Sequence, residues 1–578
     1  MTELDAFIQS TVLRQAAWRH VEVLSTLDRT SATEGDYRAV HYVEEHLQKH
    51  GIPFETYEFE SYISWPGTAQ LEVLGRGAWE LEVKSHAFSA NTPTGGLDAE
   101  LVFIENGEWE DYSGKDVTGK LILLRGPLGL VMPEKVFNAQ RRGAAGIIMI
   151  ASDHVERTSG YLHEMIVTPV WGTPEQLDLE DIPKIPAVSV KHGDGMALKA
   201  AVEEGRVTVR LQAGSDTAWR KLKLPVATID APGSSPEKDD FVLLAGHLDS
   251  WYLGTTDNAT GDAVLLELAR VLHELRDHLR RSVRIAWWPG HSTGRYSGST
   301  WYADNLWSEL DRHCVAVCIV DSPGVRGTTV QRLKSMDELR DFGLGRLKDL
   351  AQNDVKLIYP GKNGDQSFWG IGITSMALNS ELAEDHEDRA PVGGSGGGWW
   401  WHTPTDTLDK ADAEALARDT RVIGSVIAEL ARRPLLPLRF DRTLAESVGH
   451  LERWQRGAGG HFDLRPVIER ARHLQGRAAE LYEALDELPE AKAPAFNRGL
   501  KSLARAINPV LYTRAGRFKQ DRAVPHPFLP GLREIDELAG AGEERGFLLT
   551  HLVRERNRIQ AALSEVERKL DELEALRG

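Results

Sequence analysis

Cysteine is nearly absent from the chain, with two residues in 578, which excludes a disulfide framework. Long hydrophobic runs are absent too, so nothing in the sequence reads as a membrane-spanning helix. Positive charge is in deficit: 68 Lys and Arg face 86 Asp and Glu, a formal net charge of −18. That balance argues against a nucleic-acid surface and favours solubility. The opening Met1-Thr2-Glu3-Leu4-Asp5 is acidic and has no apolar core, so no secretory signal is expected. There is no solenoid repeat, and no low-complexity tract beyond Gly393 to Gly398.

What is present is an ordinary soluble composition, 41% hydrophobic and 27% charged, long enough for several domains. Cys314 and Cys318 share the apolar run His313 to Val320. Read as a strand, that run places both thiols on one face, well apart. This favours buried thiols in a reducing cytoplasm over a disulfide or a zinc knuckle.

The texture of the chain changes along its length. A helical stripe through Tyr42, Val43 and Leu47 ends near Gly51, and Phe54 to Phe59 alternates like a strand. Residues 66–215 read as short strands punctuated by Gly and Pro, among them a strand after a turn in Val117–Gly126, then Ala144–Ile150 and Ile185–Val190. A helix is expected from Glu134 to about Gly143. Between about 225 and 435, strands such as Phe241–Ala245, Val283–Trp288 and Val315–Val320 alternate with helices. That alternation predicts an α/β core with a mostly parallel sheet and helices on both faces. Beyond 440 the chain is charged and helical. Leu552, Ile559, Val566 and Leu573 recur every seventh residue, a stripe that must be buried in a bundle or between subunits.

Polar residues follow the apolar strands of the core. His247 and Asp249 follow one strand, His291 and Ser292 the next, and Asp321 a third. Asp257 opens the loop before a helix, and His402 lies in Trp401-His402-Thr403-Pro404-Thr405-Asp406. Ligands gather at the carboxyl ends of such strands. Imidazoles and carboxylates together there point to a divalent cation, and the mixture suits zinc, with manganese or cobalt as alternatives.

On these motifs the chain resembles the di-zinc aminopeptidases of the glutamate carboxypeptidase and transferrin-receptor type. The motifs are His247 to Trp251, Gly254 to Asp257 and His402 to Thr407. Residues 66–215 resemble the β-rich protease-associated insertion. Asn508 to Tyr512 and Pro527 to Leu532 fit the helical dimerisation domain. The resemblance implies a metallopeptidase-like core over 1–65 and 216–440, the insertion over 66–215, and a helical domain over 441–578 that makes a homodimer. It also implies that Asp257 bridges two zinc ions, that His247 and Asp321 complete one shell, and that His402 belongs to the other. Asp249 would orient His247.

One departure stands out. The family carries two adjacent glutamates, a general base and a zinc ligand, where this chain has His291-Ser292. His291 is then either a replacement ligand or the base, since imidazole serves both roles; a third reading is a site without catalysis. Arg295 is a candidate grip for a substrate carboxylate and Tyr296 a candidate oxyanion donor. The alternative for Arg295 is an ion pair with a nearby acid. Asp365, Gln366 and Ser367 are candidate pocket residues, with Phe368 as packing. Glu381 and His386 are candidate substitutes for the missing base. Gly393 to Gly398 reads as a flexible lead into Trp399, Trp400 and Trp401, which would form a lid or an aromatic wall.

The expected function is metal-dependent hydrolysis of a peptide or other amide bond, with a peptide or small molecule as substrate. The alternatives are a lyase or unusual carbon–nitrogen cleavage on the same fold, and a catalytically idle binding protein. Metal content and amide turnover separate the three.

Overall fold

A computed structural model describes residues 3–577 except 76, 78, 127–128, 153, 155–159, 351–353, 363, 391–392 and 486–487. The centre is a set of parallel strands, as the alternating pattern predicts. Strand Phe241–His247 pairs in parallel with Ser282–Trp288 on one side and Cys314–Val320 on the other. Cys314–Val320 pairs in parallel with Thr374–Glu381. These strands are buried on both faces, which explains their continuous apolar runs. Helix Thr260–Leu275 covers one face together with helices Arg14–Leu24 and Ala413–Arg432.

Two long strands leave this core. Phe54–Leu74 and Thr208–Ile229 pair antiparallel along most of their length, with a register shift between Pro66 and Ala69. They form a two-stranded ribbon that carries the chain into and out of the insertion. There Leu97–Phe103, Leu121–Arg125, Gly146–Ile150 and Ala187–Val190 make a second, parallel sheet. The expected helix is Met132–Arg141.

Both cysteines are buried and free. Their shared face is a correction. The register against Phe241–His247 shifts between Cys314 and Ala316. This bulge turns Cys314 toward the cluster of Phe241 and Leu243, while Cys318 packs with Val242 and Leu244 on the opposite face.

The C-terminal region is a helical bundle. Helix Arg545–Arg577 packs on Ala493–Tyr512 and Arg465–Glu483. Leu552, Ile559, Val566 and Leu573 are all buried in that bundle, so the seven-residue stripe is core within one chain. Among the described residues, no helix is long and apolar enough to cross a membrane.

Candidate metal centre

Loops at the carboxyl ends of the parallel strands converge on one point. His247 ends its strand and Asp321 directly follows Cys314–Val320. Asp257 lies in the turn that leads into helix Thr260–Leu275. Gly254 opens that turn with φ +43°, and a Cβ there would meet the Asp257 carbonyl oxygen at 2.4 Å. A side chain at 254 is therefore excluded.

His247 Nε2 lies 3.1 Å from Asp257 Oδ1 and 3.9 Å from Asp321 Oδ1. His402 Nε2 lies 3.2 Å from Asp257 Oδ2. The two oxygens of one carboxylate thus face two imidazoles, as a bridging ligand requires. Among the described residues, His247, Asp257 and Asp321 form a group whose donor atoms all lie within 4.8 Å of one another. One nitrogen and two carboxylate donors at this spacing fit a divalent cation such as zinc.

The electrostatics agree. Burial opposes charge on His247, but Asp257, Asp321 and Asp249 hold its pKa well above the ordinary value. Burial also opposes charge on Asp257, yet His247 and His402 hold its carboxyl well below the usual range. Both groups carry the charges they would need beside each other without an ion.

Each ring is held from behind by a main-chain carbonyl. His247 Nδ1 donates to the Asp249 carbonyl at 2.8 Å, and His402 Nδ1 donates to the Glu164 carbonyl at 2.7 Å. Both Nε2 atoms are left for Asp257. This corrects the expectation for Asp249, whose carboxylate does not orient His247. It accepts from the amides of His291 and Ser292 at 3.0 and 2.8 Å and from the Ser31 hydroxyl at 2.7 Å. Those amides are otherwise unpaired, and a buried carboxylate is the strongest available acceptor for them.

His291 stands beside the metal group rather than within it. Its ring stacks on that of His247, with centroids 3.8 Å apart and planes 13° from parallel. Its Nδ1 lies 2.8 Å from Asp365 Oδ2, and Asp365 Oδ1 accepts from the Ser299 hydroxyl at 2.8 Å. Asp365 therefore serves His291 and does not line an open pocket. Gln366 accepts from the Trp369 indole and the Ser375 hydroxyl, and Ser367 accepts from the Trp171 indole. All three expected pocket residues are buried. Their short polar side chains, once folded inside, are satisfied by internal partners. Phe368 is core, as expected.

Arg295 and Tyr296 also differ from expectation. The Arg295 guanidinium donates to the Ala523 carbonyl at 3.2 Å, and among the described residues it makes no ion pair. The Tyr296 ring packs on Trp171 at 4.2 Å and sets its edge against His291 at 4.8 Å, so it supports that imidazole. Glu381 and His386 are not substitutes for a base. Glu381 is buried among Arg332, Arg389 and Lys356, and His386 Nδ1 accepts from the Asp388 amide. The glycine tract is folded into a turn, with Gly396 and Gly397 accepting from the amides of Leu382 and Ala390. The Trp401 ring stacks on His402 at 3.7 Å.

Three supports were not found by sequence reasoning. Arg29 is buried and donates to the carbonyls of Leu248, Leu253 and Gly254 at 2.9, 2.8 and 3.0 Å. It clamps the loop between His247 and Asp257, and nothing in its local sequence marks it. Glu164 acts through its main chain, which leaves no residue-type signal. Asp406 was visible in its motif but had no assigned role. It accepts from the amides of Thr256 and Asp257, and burial pushes its pKa up to about 7. Backbone strain collects here as well. Tyr252, Arg295, Tyr296, Ser322, Asp365 and His402 all have positive φ without being glycine.

Residues 226–427, which contain His247, Asp257, Asp321 and His402, match the family model described as Peptidase family M28, and residues 93–198 match the PA domain. Over that core segment the chain is similar to peptidase family M28. Similar proteins include a probable glutamate carboxypeptidase of Arabidopsis thaliana, 22% identical over 548 residues, covering 81% of this chain and 74% of that protein. An aminopeptidase of Pseudomonas aeruginosa is 24% identical over 331 residues, covering 54% of this chain and 57% of that one. Among solved structures, an aminopeptidase from Aneurinibacillus sp. strain AM-1 shares the fold with a TM-score of 0.58 and 24% identity. That match covers 75% of this chain and 97% of the other. A zinc aminopeptidase from Bacillus subtilis shares it with a TM-score of 0.56 and 20% identity, over 73% and 96% of the two chains.

Proposed function

We propose that this protein is a metal-dependent hydrolase of peptide or other amide bonds in which His291 replaces the usual carboxylate base. The observation that carries this reading is the bridging position of Asp257 between His247 and His402. His247, Asp257 and Asp321 would hold one divalent cation, and Asp257 with His402 would contribute to a second position. Bound there, zinc supplies Lewis acidity toward the scissile carbonyl.

The rest is the work of the chain's own residues. Asp365 fixes the proton of His291 on Nδ1, which leaves Nε2 as the acceptor. Nε2 takes a proton from the attacking water, and Asp365 stabilises the imidazolium that forms. The same proton passes to the leaving amine. Asp249 holds His291 in place through its amide, and Tyr296 through its ring.

The buried thiols Cys314 and Cys318 suit a reducing compartment, in line with a cytoplasmic location. A homodimer through the helical domain rests on the family resemblance alone.

The test compares His291→Ala with the parent on a panel of dipeptides and aminoacyl amides, with zinc measured on both. As a base, His291 is worth at least about 100-fold in kcat, with zinc content unchanged. Loss of zinc in the variant would reassign His291 as a ligand. Bound zinc with no turnover of any amide by the parent would sink the hydrolase reading and favour a different carbon–nitrogen chemistry.

A further inference from the structure

The insertion and the core enclose a cavity of about 340 Å³ next to the metal centre. Leu130 and Val131 line it from the loop before helix Met132–Arg141, and Leu162 and Met165 from the segment that holds His402. Trp401 closes the core side. The same indole stacks on the His402 ring at 3.7 Å. Trp401 therefore links the cavity to His402 of the metal group.

The lining is chemically one-sided. Among the described residues that line it there is no Lys, Arg, Asp or Glu. The one titratable group is His163, whose ring sets its edge against Trp401 at 5.7 Å. Burial, followed by the nearby His402, pushes its pKa down to about 4, so it brings no positive charge at neutral pH. Its Nε2 is buried without a partner. A carboxylate entering this space would lose its water and find no cation among the described lining residues. An alkyl or aryl group would replace contacts the empty space lacks. The volume is at the small end for ligand sites, enough for one side chain rather than a peptide segment.

We infer that this cavity receives a large apolar side chain of the substrate, aliphatic or aromatic, and that it selects against acidic ones. The inference rests on the hydrolase reading for its substrate, but the cavity can be probed without turnover. Segment 162–165 then has two roles. Leu162 and Met165 shape the pocket, while the main chain of Glu164 holds His402, so side-chain recognition and the metal ligand share one support.

Two experiments on the full chain test this. The first is binding of indole to the metal-free protein, followed by calorimetry and by crystal soaking, with glutarate as the acidic control. Indole density against Trp401 and no glutarate binding is the expected result. Leu130→Trp fills the cavity from a loop and should weaken indole binding at least ten-fold. Indole bound elsewhere, or equally well by Leu130→Trp, overturns the assignment whatever the enzyme does. The second is kcat/KM of the zinc-loaded protein on dipeptides carrying Leu, Phe, Trp, Glu or Lys on either side of the scissile bond. At one of the two positions, Leu, Phe or Trp should exceed Glu by at least 100-fold, and Leu130→Arg should narrow that ratio at least ten-fold. Equal rates for Glu and Leu at both positions overturn the specificity. Absence of all turnover with normal indole binding fails the hydrolase reading and leaves an apolar binding site confirmed but its substrate role refuted.

Discussion

His402 and Glu164 are joined by two hydrogen bonds across the boundary between core and insertion, one from the imidazole and one between main chains. His402 Nδ1 donates to the Glu164 carbonyl at 2.7 Å, and the Glu164 amide donates to the His402 carbonyl at 2.9 Å. The Glu164 side chain is anchored in turn by Lys84 at 2.6 Å and the Tyr252 hydroxyl at 2.5 Å. A candidate metal ligand of the core thus takes its orientation from the inserted domain.

Removing that anchor should loosen the ligand. Glu164→Ala leaves the main-chain groups in place but frees the segment from Lys84 and Tyr252. Outer partners of this kind are worth about 10–100-fold in metal affinity. We expect zinc binding to weaken by about ten-fold, read by competition with a chromophoric chelator. Unchanged affinity would show that the segment is held by other contacts.

The pairing of His291 with Asp365 predicts a different signature. In Asp365→Asn the amide can donate to Nδ1, which favours the tautomer with the proton on Nε2 and removes the acceptor. We expect kcat to fall by about 100-fold or more, with little change in KM and none in zinc content. A change in zinc content instead would place His291 among the ligands.

Much of this centre was legible because strand ends in a parallel sheet are where ligands collect. His247, Asp257, Asp321 and His402 could be picked out by residue type and position, and the structure brings them together. The supports were not legible. Arg29 and Glu164 act on or through main-chain groups more than 200 residues away, and a carbonyl has no residue type to read. Asp365 was noticed, but its partner lies 74 residues distant, and spacing says nothing about such a pair. The opposite faces of Cys314 and Cys318 follow from a single bulge, which strict alternation cannot show.

Asp249 should matter for stability as well as for position. Its carboxylate is buried and accepts two amides and a hydroxyl. Asp249→Ala leaves the amides of His291 and Ser292 without their acceptor. The expected loss is about 2–4 kcal/mol, from bonds to a charged group and the desolvated donors left behind. Urea unfolding of the metal-free protein measures it, and a loss below about 1 kcal/mol would mean that water replaces the carboxylate.

Acid should unfold the chain through histidines remote from the metal. His20, on helix Arg14–Leu24, packs against helix Glu34–Lys49, its Nδ1 2.8 Å from the Tyr42 hydroxyl and its ring 4.6 Å from that of His46. Burial, then His46 and His50, pushes its pKa down to about 3. His86, buried against Ser189 in the insertion, is pushed down to about 3 by burial and then by Lys84. Both groups are depressed in the folded state, so the unfolded chain binds protons first as pH falls. Their contribution is complete above about pH 6.5 and is lost progressively from there toward pH 3. pH 4.5 lies about two units below the unfolded pKa and still above the folded one, so each histidine costs about 2–3 kcal/mol there. His20→Gln should therefore flatten the fall in stability of the metal-free protein between pH 6.5 and 4.5, measured by urea unfolding. A slope unchanged by His20→Gln and by His86→Gln would assign the acid sensitivity to other groups.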